Sequence, residues 1–326
     1  MTKIRTFTKI VFLLCLSLLF GNYQVGAVSK NNSGKVSQSR KVSSGKDFRI
    51  DSSGVLMSYS GTAENVVVPN GVKSISFGAF MDHPEIKSIS LPNGLLTIDE
   101  CAFYGCTSLK MIDLPESVVR IDRLAFGSCT SLEKIYMGKN VKDIAELFVC
   151  DCPKLCKFEV NESNENFKVV DGILYSKDMT KLILCPQNTP EIISIPDEVL
   201  TIKEQSFFEC NNLNIGKNVK YIDEAAFYGC KNLKTVNIGD SVKKIRSYAF
   251  AECSSLEEFC VGKNVTYIGN GAFYNCNNLN KFTCLNKKIE FGADVFTQGL
   301  GLTFCVSDNS DACEYAVSNK FNFEIV

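Results

Sequence analysis

Sixteen cysteines and one histidine are the residues of this 326-residue chain best suited to chemistry. A thiolate attacks carbonyls, ligates zinc or exchanges disulfides, and an imidazole beside it completes a nucleophile–base pair. Spacing argues against each use. In CDCPKLC, Cys152 and Cys156 fit the C-x₂₋₄-C spacing of a zinc pair and Cys150 lies beside them. Zinc takes four ligands, however, and no histidine is near in sequence. His83, in FMDHPEI, a cap variant of FYGCTSL, reads as a core or cap histidine, since a catalytic base must sit in a cleft beside a nucleophile. GNGAF at Gly269 fits neither phosphate-cradling glycine pattern. Glu257 and Glu258 read as a solvated strand start. The expectation is no catalytic residue, no metal, no cofactor and no enzymatic role. The sequons at Asn161 and Asn264 matter only in a eukaryote.

The elements that position these residues repeat. Phe80, Phe103 and Phe126 are evenly spaced (103 − 80 = 126 − 103 = 23), Val149 continues the count, and the register returns at Phe207, Phe227, Phe250, Phe273 and Phe296. The gap from Val149 to Phe207 (207 − 149 = 58) is one repeat plus 35 inserted residues (23 + 35 = 58). Three residues after the phenylalanines stand His83 and then Cys106, Cys129, Cys152, Cys210, Cys230, Cys253 and Cys276. A leucine column follows six residues on, and an isoleucine column precedes by five. Cysteines in one inward column pack as small apolar groups, so a ladder of thiols is the favoured reading. Stacked coils bring their Cα atoms to about 5 Å, so distance alone leaves bridges open. Cys101, Cys150, Cys156, Cys185, Cys260, Cys284, Cys305 and Cys313 fall outside the column. IDECAFYGCTSLK (98–110) and IDEAAFYGCKNLK (222–234) are nearly the same line, and Cys101 stands in the first where Ala225 stands in the second, which makes it the better candidate for pairing or reactivity.

Within one unit, Ile112 and Leu114 alternate with polar residues, the period of a half-buried strand. PES or GKN then turns the chain, a second short extended piece carries Val118 and Ile121, and DRLAFGSC predicts one helical turn. A single unit of this kind cannot bury its own faces, so neighbouring coils must cover one another in a one-dimensional stack. The fold class expected is a repeat solenoid of about 23-residue units, mostly β, with short parallel strands and short helical or 3₁₀ turns.

LKMIDLPESVVRIDRLAFGSC (109–129) resembles the BspA-like class of leucine-rich repeat, and the resemblance covers about 48–326. It implies a leucine-rich-repeat solenoid and, more loosely, a secreted or surface protein, some such proteins being adhesins for host proteins. Three departures stand out: an insert at about 161–198 with a β-hairpin around KDM, a shortened unit at Leu213–Gly216, and Lys288 in the column of Val242 and Val265.

The ends suggest export. Lys3, Arg5 and Lys9 precede the apolar run IVFLLCLSLLF, which contains Cys15 and is short for a membrane span, and VGA ends at Ala27. Residues 1–27 read as a signal peptide, 28–47 as a flexible linker, and 48–326 as the solenoid, with an N-terminal cap at 48–74 and a C-terminal cap at about 303–326. The mature chain is expected to lack a transmembrane span and to be secreted or at the cell surface. With 35 basic and 36 acidic residues there is no electrostatic case for nucleic acid. The exposed strand positions Ser90, Asp113, Tyr136, Glu159, Asn237, Cys260 and Thr283 form the expected binding face, polar and suited to an extracellular or host protein. A self-associating envelope scaffold is the alternative.

Overall fold

The computed structural model describes residues 45–188, 193–207, 213–296 and 301–326. The expected signal peptide, most of the expected linker, Cys15 and Cys210 lie outside the described residues.

Each coil has three sides. One carries strands of two to four residues; in Met111–Asp113 the central Ile112 is buried while its neighbours are exposed. These strands pair parallel and in register, Asp113 opposite Tyr136 and Tyr136 opposite Glu159. Equal coil lengths bring equivalent residues side by side, so the register needs no further device. The second side carries mostly two-residue strands, again parallel, that align Ile75, Ile98, Ile121 and Ile144.

The third side holds the phenylalanines. Here the expected helical turn is replaced by linked turns whose residues flanking the ring are left-handed: Cys101 (φ 56°) and Gly105 (φ 74°) around Phe103, Leu124 (φ 54°) and Ser128 (φ 52°) around Phe126. The effect is to aim alternate amides at the next coil. Residues 101, 103 and 105 donate to the carbonyls of Arg123, Ala125 and Gly127 at 3.1, 2.8 and 2.9 Å. A helix would have satisfied those amides within its own coil. Glycine adopts positive φ without a Cβ penalty, which accounts for Gly105 and Gly229 in the two AFYGC lines.

Inside, the rings stack nearly parallel: Phe80 on Phe103 at 5.1 Å, Phe103 on Phe126 at 5.4 Å, Phe227 on Phe250 at 4.9 Å and Phe273 on Phe296 at 5.2 Å. From Phe80 to Phe126 and from Phe207 to Phe273 the amide of each column residue donates to the residue before the next column member, and the same bond extends the column in both directions. Tyr59 donates to Ala79 (2.9 Å) and heads it; Cys185 donates to Ser206 (2.7 Å) and fills a phenylalanine position. The stack is a solenoid of about 11 turns.

Cys185 alters the reading of the long gap. The steps are 185 − 149 = 36 and 207 − 185 = 22, so the gap contains one enlarged coil and one of nearly ordinary length. The extra chain forms three antiparallel strands, Phe167–Val170, Ile173–Ser176 and Lys181–Leu184. Asp171 (φ 51°) and Gly172 (φ 79°) close the first turn, the positive pair that a two-residue hairpin loop requires. The third strand then pairs parallel with Thr201–Ile202 and restarts the stack. Phe167, Leu174 and Leu184 pack into the core below, while Ile173, Tyr175 and Leu182 pack into the core above.

At the ends, Phe48–Ile50 covers the first edge antiparallel to Val55–Tyr59. The helix Asp311–Ser318, N-capped by Ser310, lays Tyr315 over Phe291 at 4.2 Å. Lys288 points outward to Asp311 (3.0 Å), and the adjacent Ile289 is buried.

Candidate functional site

The cysteine column supplies hydrogen-bond donors. Cys106 Sγ donates to the Phe80 carbonyl at 3.2 Å, Cys129 to Phe103 at 3.2 Å, Cys152 to Phe126 at 3.2 Å, Cys230 to Phe207 at 3.1 Å, Cys253 to Phe227 at 3.2 Å and Cys276 to Phe250 at 3.0 Å. A thiol suits the position because it is apolar enough to be buried and still carries a weak donor for a carbonyl that water cannot reach. His83 occupies the same place against the head of the phenylalanine column: its Nε2 lies 3.1 Å from the Tyr59 carbonyl, and its Nδ1 lies 2.7 Å from Glu85.

Burial pushes the Cys106 thiol up to about 12, and those of Cys129, Cys253 and Cys276 well above the ordinary thiol value. Such groups stay protonated at neutral pH and do not attack. Cys101 corrects the expectation of reactivity outside the column: it is 3% exposed, and burial, then the nearby Glu100, pushes its thiol up to about 12. The described cysteines are in the thiol form, Cys260 exposed and Cys150, Cys156 and Cys313 half-buried. Among the described residues no group of three His, Cys, Asp or Glu side chains is placed to hold a metal ion.

The side with the longer strands divides in two. Asp113, Tyr136 and Glu159 stand on consecutive rungs; Asn237, Cys260 and Thr283 stand on three others. Ser90 is exposed on an earlier strand, opposite Val67. The enlarged coil and the short strands Ile193–Ser194 and Leu213–Asn214 separate the two groups.

In the first group, Tyr136 and Glu159 are tied to neighbouring side chains. Lys134 and Lys157 reach Glu159 at 2.9 and 3.0 Å, and these contacts, Lys134 first, hold the Glu159 carboxyl below its ordinary value. Glu116 accepts from the Tyr136 hydroxyl (3.3 Å), Asn161 Nδ2 (3.0 Å) and the Lys139 amide (2.6 Å). Asn161 also donates to the Tyr136 hydroxyl at 3.2 Å. The strand alternation finds Tyr136 and Glu159. It misses Glu116 and Asn161, which sit beyond the strands and meet Tyr136 only after coiling.

The shorter-strand side presents a second polar surface, outside the strand alternation that marks the first. Tyr221, Lys244, Tyr267 and Glu290 align there on adjacent strands. The signal was available: the residue before each buried isoleucine of this column is polar from Ser74 through Tyr267.

The sequence matches the BspA type leucine rich repeat region in six copies over 56–170 and 187–303. No curated protein matches it. Among solved structures, a leucine-rich repeat protein from Eubacterium ventriosum is similar with a TM-score of 0.65 at 21% identity, covering 80% of this chain and 83% of that one. The pneumococcal vaccine antigen PcpA gives 0.58 at 21% identity, covering 81% and 79%. A leucine rich cell surface protein from Faecalibacterium prausnitzii gives 0.56 at 17%, covering 83% and 95%. These likenesses concern the fold. With repeats matched over most of its length, and with the stacked coils they describe, the chain belongs to the BspA-type leucine-rich-repeat family.

Proposed function

We propose that this chain is an exported binding protein, released or held at the cell surface, whose longer-strand side engages a protein partner outside the cell in the manner of an adhesin. The contacts that hold Tyr136 and Glu159, on the rungs beside Asp113, carry this reading. They hold charged and aromatic side chains in rank on a hydrogen-bonded sheet, so little side-chain freedom is lost when a partner docks. The export-like start of the sequence supports the location, as do relatives of the same fold described as an antigen and as a cell surface protein. Among the described residues no helix is long and apolar enough to cross a membrane. No nucleic-acid partner and no catalytic role are proposed.

The test is capture on the immobilised chain from pools of extracellular-matrix and envelope proteins, repeated with Asp113→Lys/Glu159→Lys. At least tenfold weaker capture is expected from the double reversal. Undiminished capture contradicts a role for this side. Self-association is the second reading, favoured by the strand Asn322–Ile325, where Phe323 is 42% and Ile325 57% exposed. Light scattering separates the two, since a strict monomer disfavours assembly.

A further inference from the structure

We propose that a groove on the shorter-strand side is a binding site for an acidic sugar, a hexuronic or sialic acid unit. The groove has a volume of about 520 Å³, inside the roughly 300–1,000 Å³ range of small-molecule sites. It lies on a different side of the coils from the Glu159 network, so it stands or falls independently of the partner reading.

The chemistry comes from the cross-strand row. Lys244 sits in register between Tyr221 and Tyr267, and Tyr267 lines the groove. The neighbouring cations on this side are engaged: Arg246 and Lys203 each lie 3.3 Å from Asp223. Lys244 has no ion pair among the described residues, so its ammonium is available for a ligand carboxylate.

Two carboxylates, Glu224 and Glu290, face the same groove. Carboxylates are acceptors only, and sugar hydroxyls are the donors they lack. Glu224 and Glu290 repel a phosphate dianion about twice as strongly as a carboxylate monoanion in the same place, which favours the singly charged ligand. Thr266, which also lines the groove, donates its hydroxyl to the Lys243 carbonyl at 3.2 Å, so its oxygen is left to act as an acceptor. An aromatic wall, one unengaged cation and flanking acceptors match a pyranose ring that bears a carboxylate.

The experiment is titration of the full chain, by calorimetry and ligand-observed NMR, with digalacturonate, 3′-sialyllactose, lactose and triglutamate. At least one acidic sugar is expected to bind ten times more tightly than lactose and triglutamate, and comparing the two acidic sugars distinguishes uronate from sialate. Lys244→Gln, a change at an exposed side chain, is expected to weaken that binding at least tenfold. Tyr267→Phe, which keeps the ring, leaves it within twofold. Absence of acidic-sugar binding at millimolar concentration, equal binding of lactose or triglutamate, or indifference to Lys244→Gln overturns the proposal.

Discussion

The junction between the Phe103 and Phe126 coils and the junction between the Val149 and Cys185 coils join the same kinds of unit by different means. At the first, the amides of 101, 103 and 105 and the paired isoleucines form a continuous ladder. At the second, among the described residues, Leu147 and Val149 donate no backbone hydrogen bond to the following coil, and Asn188 to Leu155 (2.9 Å) is a main-chain link across it. A cavity of about 100 Å³ opens there, between Ile144, Phe148, Phe167 and Leu184. Glu204 on its rim is pushed above the ordinary carboxylate value by burial, then by Glu146 and Glu224. Register in this fold follows from coils of near-equal length: the shortened coil from Phe207 to Phe227 (227 − 207 = 20) still pairs, Phe207 donating to Ala226 at 2.8 Å. Where the coil is enlarged, backbone pairing lapses, and the two apolar faces of the inserted strands take over the joining.

The largest expected effect belongs to the regular stack. Cys101 and Cys106 are held at about 12 against a reference of 9.0, so the folded chain keeps protons that the unfolded chain releases. Their stabilisation is intact below pH 9 and is lost as pH rises from 9 towards 12, at about 1.4 kcal/mol per pH unit for each thiol. Urea unfolding across that range should steepen accordingly, and Cys106→Ala should flatten the decline; a curve level to pH 11 would contradict the account.

Ile98→Ala and Ile144→Ala compare the junctions with the same chemistry. Ile98 is fully buried and paired on both sides, whereas Ile144 is half-buried beside the cavity. Losses of about 3–4 and about 1.5–2 kcal/mol are expected in denaturant unfolding. Equal losses would mean that the second junction is packed as tightly as the first.

Gly172→Ala places a Cβ at φ 79° in the hairpin loop that stands in for the missing ladder, and its Cβ would lie 3.2 Å from the Cys156 carbonyl. A loss of about 1–2 kcal/mol is expected, concentrated in exchange of the hairpin amides. Smallest is Glu159→Gln, which removes two partly exposed ion pairs and should change stability by less than about 1 kcal/mol. A larger change would mean that the network is structural rather than available for binding.

The stack was legible because each column meets the same contact in every coil, so Phe103, Cys106, Ile98 and Leu109 recur as types. The exceptions were hidden where one contact is met by an unlike residue. Tyr59 and Cys185 continue the phenylalanine column through a backbone amide that any residue supplies, and His83 replaces a thiol as donor to a carbonyl. Left-handed backbone at Leu124, Ala225 and Tyr248 is imposed by the neighbouring coil and leaves no mark in residue type. Asp171–Gly172 was a readable hairpin signal, and it marks the first turn of the insert, ahead of the turn around Met179. The candidate site was legible as strand positions; its cross-coil partners, Glu116, Asn161 and Lys134, required the register.

Hydrogen exchange at four amides tests the central claim, that coil-to-coil pairing is continuous in the regular stack and interrupted at the enlarged coil. Leu124 and Phe126 donate to Leu147 and Phe148, both at 2.8 Å, and should exchange only with cooperative opening of the stack. Leu147 and Val149, one coil further on, should exchange at least about 100-fold faster. Equal protection at all four positions would show that the ladder runs through unbroken and would contradict the account.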